Sequence, residues 1–351
     1  MYRTVAQLTE VVTQVAAAAP DLCTVVPLPN PSVQGTAVSA LRIAAPGDIA
    51  VDERPGVLLI AGTHARELMN PDLLVELAVD LVAAHRNGTD IVLGGRTWAA
   101  AQIRSMLEAT VLHLLPCVNP DGRTYVLTVD DMWRKNRRDN AGTRCDGVDL
   151  NRNTGLLWGV TEGQTSCSPC TDIYCGTGAF SEPENQNVKH LLDTHRIDHF
   201  ADVHSFSELV IHPWGHAANQ TTDPAQNFRI LPTGTCRPLN RPGYAEYIAP
   251  EDLAQFQKVA DRIVTEIAAV RGRQYTPEPG MTLYPTTGTH SDYAWSRHIA
   301  DPTLHRTYGY TIETGPSVGD VRESFHPRNP EPIKREVESG LLGLIQAATE
   351  G

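Results

Sequence analysis

VLLIAGTHARELMNPDLLVELAVDLVAAH, residues 57–85, changes its hydrophobic period halfway along. VLLI (57–60) is a short apolar run of the kind that fills a buried strand. From Pro71 to His85 the apolar residues Leu73, Leu74, Leu77, Leu81 and Val82 recur three or four apart, which lays them on one face of a helix. Between strand and helix stands GTHARE (62–67), where His64, Arg66 and Glu67 crowd a single turn. A strand, a turn carrying polar chemistry and a helix together predict an α/β fold.

The same alternation extends outward. TVLHLLPCV (110–118), HFADV (199–203) and YGYTI (308–312) read as further strands. Val5, Leu8, Val11, Val12 and Val15 recur at helical spacing, as do apolar residues in 251–270 and 331–348. Ser181-Glu182-Pro183-Glu184 reads as a capping box that opens another helix. The prediction is an α/β single domain, with a mixed, mostly parallel twisted sheet and helices on both faces, spanning 1–351. Residues 216–250 are rich in Pro and Gly and lack periodicity, so they are expected to form a long loop insertion serving as a lid or binding loop.

Composition sets the class. Hydrophobic residues make up 41% and charged residues 20% of the 351, which suits a globular enzyme. A formal net charge of -12 argues against nucleic acid and anionic membranes as partners. No apolar run reaches the roughly 18 residues that a membrane helix needs. Four of the seven cysteines fall within 145–175. That cluster reads as disulfides in an oxidising compartment. A structural zinc site on Cys145, Cys167, Cys170 and Cys175 is the rival reading, although a clean second C-x2-C pair is missing. Cys117 sits in an apolar run and reads as a buried free thiol. The expectation is a secreted or extracellular protein whose signal segment is absent from this sequence.

In open α/β sheets ligands gather outside the carboxyl ends of strands. Those ends carry His64 and Glu67, Asn119-Pro-Asp-Gly122, His204, and Glu313. A strand-end histidine alone is ordinarily a hydrogen-bonded residue, and H-x-x-E recurs by chance. Two histidines with a glutamate can nevertheless complete a zinc site with one open position. A further glutamate could then serve as the base that activates water. MWRKN (132–136) and DLNRN (149–153) add arginines to Arg66. Arginines converging near a metal suit a substrate with a free carboxylate, which they bind through paired hydrogen bonds.

At this point the chain resembles the M14 zinc carboxypeptidases of the carboxypeptidase A/B type. The stretches that carry the resemblance are GTHARE, NPDGR, MWRKNRR, GVDLNRN, SPC, FSEPEN, VHSFSELVIHPWG, LYPTTGTHSDYAW and YTIETG, in that order over 62–315. The resemblance implies one zinc per chain, held by His64, Glu67 and His204. It implies Glu313 as general base and Arg134 as the group that polarises the scissile carbonyl. Asn151 and Arg152 would hold the terminal carboxylate, Tyr284 would close over it, and Arg66 would line an outer subsite. It also implies a Cys145–Cys170 disulfide. Phe206 departs from the tyrosine often found there in the family.

By the same resemblance Ser291 lies at the floor of the side-chain pocket, with Ile211, Gly215, Leu283, Thr286, Thr289 and Thr311 around it. No acid stands at 291, so a neutral or broad preference is expected. The implied substrates are peptide or protein C-termini. Two other functions compete: a peptidoglycan-peptide hydrolase on the same scaffold, and a non-catalytic binding module.

Overall fold

The strand of the quoted stretch is buried along its whole length in the computed structural model, which describes residues 2–350. The chain begins α1 (Val5–Ala18), β1 (Cys23–Pro27), β2 (Ser39–Ile43), β3 (Gly56–Ala61) and α2 (Met69–Asn87). A small pair, β4 (Ile91–Leu93) and β5 (Arg96–Trp98), precedes α3 (Ala100–Ala109), β6 (Val111–Leu115) and α4 (Pro120–Thr128). Next come α5 (Pro183–Thr194), β7 (His199–His204) and β8 (Leu209–His212), then β9 (Asn219–Gln220) and β10 (Glu246–Tyr247). The remainder is α6 (Pro250–Arg271), β11 (Thr276–Pro279), α7 (Gly280–Leu283), α8 (His290–Ala300), β12 (Tyr308–Glu313), α9 (Val321–Phe325) and α10 (Glu331–Ala348).

Eight strands form the central sheet in the order β1-β2-β6-β3-β7-β12-β8-β11. The inner strands β6, β3, β7 and β12 run parallel, and β8 is parallel to β11. The pairs β1–β2, β2–β6 and β12–β8 are antiparallel. The sheet is therefore mixed and mostly parallel, as expected. Alternation along β3 divides the core. Val57, Leu59 and Ala61 pack with α1, α2, α6 and α10, whereas Leu58 and Ile60 pack with Leu191 and Leu192 of α5. Helices thus cover both faces. No helix among the described residues is long and apolar enough to cross a membrane.

Some local expectations are corrected. The run 110–118 leaves the strand after Leu115, where Pro116 removes a ladder N–H. The capping box at 181–184 does not form. Glu182 is the N-cap and no side chain caps it. Ser181 Oγ instead bonds Glu182 Oε1 (2.8 Å), and Glu184 accepts from Val33 N (3.0 Å) and Asn136 Nδ2 (3.2 Å). Tertiary partners have outcompeted the local cap. The structural zinc reading fails because Cys145–Cys170 and Cys167–Cys236 are disulfides. Cys117 is free, but partly exposed rather than buried. The 216–250 stretch is tied down by Cys236, by the short parallel β9–β10 pair and by a buried His216–Glu246 contact at 2.8 Å.

One buried acid in this frame has a measurable consequence. Glu338 on α10 is almost fully buried, and its Oε1 has no hydrogen-bond partner among the described residues. Burial, with Asp80 adding and Arg335 opposing through a 3.1 Å bond to Oε2, pushes its carboxyl up to about 8. The folded state therefore holds this proton more tightly than the unfolded chain. The associated stability is complete below the unfolded value of 4.5 and is lost as pH rises through about 8. Glu338→Gln should flatten that slope and raise stability at pH 8–9, on the order of a few kcal/mol. Denaturant unfolding at several pH values measures it.

Candidate metal and peptide site

After β3 the chain turns sharply at Gly62 (φ 69°), where an added Cβ would come 3.0 Å from Pro71 Cγ. Only glycine relieves both the positive φ and that approach. The turn delivers His64 and Glu67 to the carboxyl edge of the sheet. The neighbouring parallel strand β7 ends on His204, and β12 beside it ends on Glu313, the register partner of His204. Strand order and register therefore bring four residues from three distant segments to one place.

His64 Nδ1 lies 2.8 Å from Glu67 Oε1, and His204 Nδ1 lies 3.1 Å from Glu67 Oε2. The two Nδ1 atoms are 3.0 Å apart. One ligand atom from each of the three residues falls within 4.8 Å of the others, and all three residues are buried. The outer nitrogens also face carboxylates: His64 Nε2 is 3.2 Å from Asp149 Oδ1, and His204 Nε2 is 2.7 Å from Asp202 Oδ2, the latter off-line for a hydrogen bond. With those Nε2 atoms protonated, two Nδ1 lone pairs and a carboxylate point at one another. That arrangement is repulsive unless a proton or a metal ion sits among them, and two imidazoles plus a carboxylate match the donor preference of zinc. Electrostatics agree. Burial opposes a charged His204, yet Asp202 and Glu67 hold its pKa well above the usual range. Burial would raise Glu67, but the two imidazoles bring it down to about 2. His64 runs the other way: burial, with Arg134 adding, holds its imidazole below the usual range and so keeps it neutral, the form that donates to a metal.

Asp149 organises the other side. Besides His64, it takes Arg134 Nε at 3.0 Å and Nη2 at 2.9 Å, and its Oδ1 accepts from Asn151 N at 2.9 Å. It thus caps the 3-10 turn Leu150–Arg152. Arg152 is nearly fully buried, with Nε on Gln164 O and Nη1 on Asn151 O (2.7 Å). Asn151 Oδ1 accepts from His290 N at 2.9 Å. Asn151 Nδ2 and Arg152 Nη2 have no protein partner among the described residues, which leaves a donor on each for a ligand.

His64, Arg66, Glu67, Arg134, Asn151, Arg152, Ile211, Tyr284, Ser291, Thr311 and Glu313 line one cavity of about 250 Å³. His204 completes the metal cluster behind it. Arg66 stacks 4.5 Å over Phe325, and Phe206 meets the same ring edge-on. Thr311 and Ile211 are register partners across β12 and β8, and Thr311 Oγ1 bonds Ser291 Oγ at 3.1 Å. The described lining includes nothing from 216–250. Reasoning from sequence missed Asp149, Asp202 and Asp292. Asp292 lines the cavity beside Ser291 and accepts from Gly215 N at 2.9 Å, and burial pushes it up to about 6. An aspartate inside the apolar run HFADV was the one available signal for Asp202.

The family model described as "Zinc carboxypeptidase" matches residues 8–339. Carboxypeptidase B of Bos taurus is 27% identical over 86% of this chain and 60% of its own length. "Inactive metallocarboxypeptidase ecm14" of Talaromyces marneffei is 26% identical over 89% of this chain and 48% of its own. Carboxypeptidase A from Helicoverpa armigera superposes with a TM-score of 0.74 at 22% identity, covering 100% of this chain and 74% of that one, a likeness of fold. The chain spans about half the length of the curated relatives it matches. With the family match running nearly end to end and the His64–Glu67–His204 cluster in place, the chain belongs to the zinc carboxypeptidase family.

Proposed function

We propose that residues 1–351 form one catalytic domain, a zinc metallocarboxypeptidase that hydrolyses the last peptide bond of peptides or proteins. The observation that carries this reading is a single cavity joining a metal cluster, an acid and a carboxylate anchor. His64, Glu67 and His204 would hold one zinc. When bound, zinc supplies a Lewis acid that polarises the carbonyl and acidifies water. Glu313 takes the proton of the attacking water and passes it to the departing nitrogen. Arg134, held from behind by Asp149, keeps Nη1 for the developing oxyanion. Asn151 and Arg152 grip the terminal carboxylate, Tyr284 covers it, and Arg66 positions the chain further out. Two disulfides support an oxidising, extracellular setting.

Purified protein should contain about one zinc, as a single His/Glu/His site requires. Stripping it with a chelator should abolish release of C-terminal residues from a mixed peptide library followed by mass spectrometry. Activity that survives complete removal would defeat the reading. The fungal relative named inactive makes a binding module the alternative, and the same assay separates the two.

Side-chain preference is proposed to be neutral or broad, set by Ser291, Ile211 and Thr311. Peptides ending in Phe or Leu should be cleaved at least as fast as those ending in Lys. A strong preference for Lys in matched kcat/KM values would instead report the charge of Asp292.

A further inference from the structure

His290 opens α8 and is 1% exposed. Both of its ring nitrogens face oxygen acceptors. Nδ1 is 2.8 Å from Asp202 Oδ2, and Nε2 is 3.0 Å from Asn185 Oδ1. Each acceptor leads to a different part of the site. Asp202 lies 2.7 Å from Nε2 of His204 and accepts from Thr63 Oγ1 at 3.1 Å, next to His64. Asn185 donates through Nδ2 to Leu150 O at 2.7 Å, which fixes its Oδ1 toward His290. Leu150 begins the turn that carries Asn151 and Arg152. One ring is therefore a single intermediary away from a metal ligand on one side and from the carboxylate-binding turn on the other.

We propose that His290 is a positioning residue with two separable arms: Nδ1 orients His204 through Asp202, and Nε2 holds the Leu150–Arg152 turn through Asn185. The proposal rests on the zinc exopeptidase reading. A merely space-filling histidine would make neither arm matter on its own. Buried groups of this kind are costly to leave without a partner, so each arm stiffens what it touches.

Bond counting supplies the test. The amide nitrogen of Asn lies two bonds from Cβ, as His Nδ1 does, and that of Gln lies three bonds away, as His Nε2 does. His290→Asn keeps a donor for Asp202 and loses Asn185. His290→Gln does the reverse. Zinc affinity, measured by chelator competition on the full chain, should fall more than about threefold in His290→Gln, up to the roughly 10- to 100-fold that losing a direct outer partner of a ligand costs. It should hold to within about threefold in His290→Asn, the ordinary scatter of such contributions. At saturating zinc, KM for free-acid peptides should rise about 5- to 150-fold in His290→Asn, as expected for one buried hydrogen bond lost. His290→Gln should leave that KM near wild type. Asn185→Leu, which cuts the second arm without touching His290, should reproduce the KM change with zinc affinity retained. Equal losses of zinc and KM in all three variants, or no change in any, would overturn the proposal. A wild-type protein that neither binds zinc nor trims free-acid peptides would instead refute the exopeptidase reading itself.

Discussion

Glu313→Gln is expected to keep its zinc and its peptide and to turn over at least about 10²-fold more slowly, the lower range for general acid–base catalysis. The substitution conserves shape and removes basicity. Glu313 ends β12 opposite His204 and lines the cavity with Arg134. Burial pushes its carboxyl up to about 8, with Glu67 and Asp202 adding and His204 and Arg134 opposing. Protein groups alone would therefore keep it largely protonated at neutral pH, where it could not accept a proton. A divalent cation at the neighbouring cluster favours the ionised form. On the proposed mechanism, metal loading would ready Glu313 to accept a proton as well as polarise the carbonyl. In the loaded enzyme kcat/KM should climb with pH as Glu313 ionises, on a limb lying below about 8. Glu313→Gln should lose that limb together with the rate. A mutant of near-normal speed that kept the limb would reassign the base.

The sheet was readable because its inner strands are continuous apolar runs between helices of 3.6 period. VLLI, HFADV and YGYTI all proved to be strands, and the polar residues just beyond them converge. The edges were not readable. β11 is Thr-Pro-Glu-Pro, where two prolines mask a strand that only an edge position tolerates. β1 is short and half-exposed, and β2, though mostly buried, is only five residues long, with weak alternation in both. Asn119-Pro-Asp-Gly read as a strand-end loop, yet Asn119 accepts from Gly122 N and caps α4, so its side chain serves the fold. Within the site, the residues facing the cavity were legible through the family resemblance. The groups behind them were not. Asp149 sits inside DLNRN, but only three-dimensional packing shows it joining His64, Arg134 and the anchor turn. Nothing in the sequence connects His290 to Asp202 or Asn185.

Amidated peptides should be cut roughly 30-fold to several thousand-fold more slowly than the matching free acids. A water-activating metal site hydrolyses whichever peptide bond is set against it, so restriction to the last bond needs a second anchor at fixed distance. Arg152 and Asn151 can provide one. Arg152 is almost fully buried, with Nε and Nη1 already bonded to backbone carbonyls, so its charge is desolvated and its orientation fixed. Asn151 is held by Asp149 at its N–H and by His290 N at Oδ1, which turns its amide nitrogen free. A terminal carboxylate neutralises the guanidinium and accepts from both residues. An amide is neutral and leaves the buried charge unpaired. Breaking a desolvated pair of this kind costs about 2–5 kcal/mol, and each 1.4 kcal/mol is about tenfold, which sets the predicted range. Arg152→Ala should slow cleavage of free-acid peptides and bring acid and amide rates together, because the mutant has lost the group that tells them apart. The two-substrate ratio isolates the anchor from the chemistry, since metal and Glu313 act alike on both. Equal kcat/KM for acid and amide in the unmodified enzyme would mean that position is set elsewhere in the cavity, and the assignment of Asn151 and Arg152 as the exopeptidase anchor would fall even with zinc and Glu313 behaving as proposed.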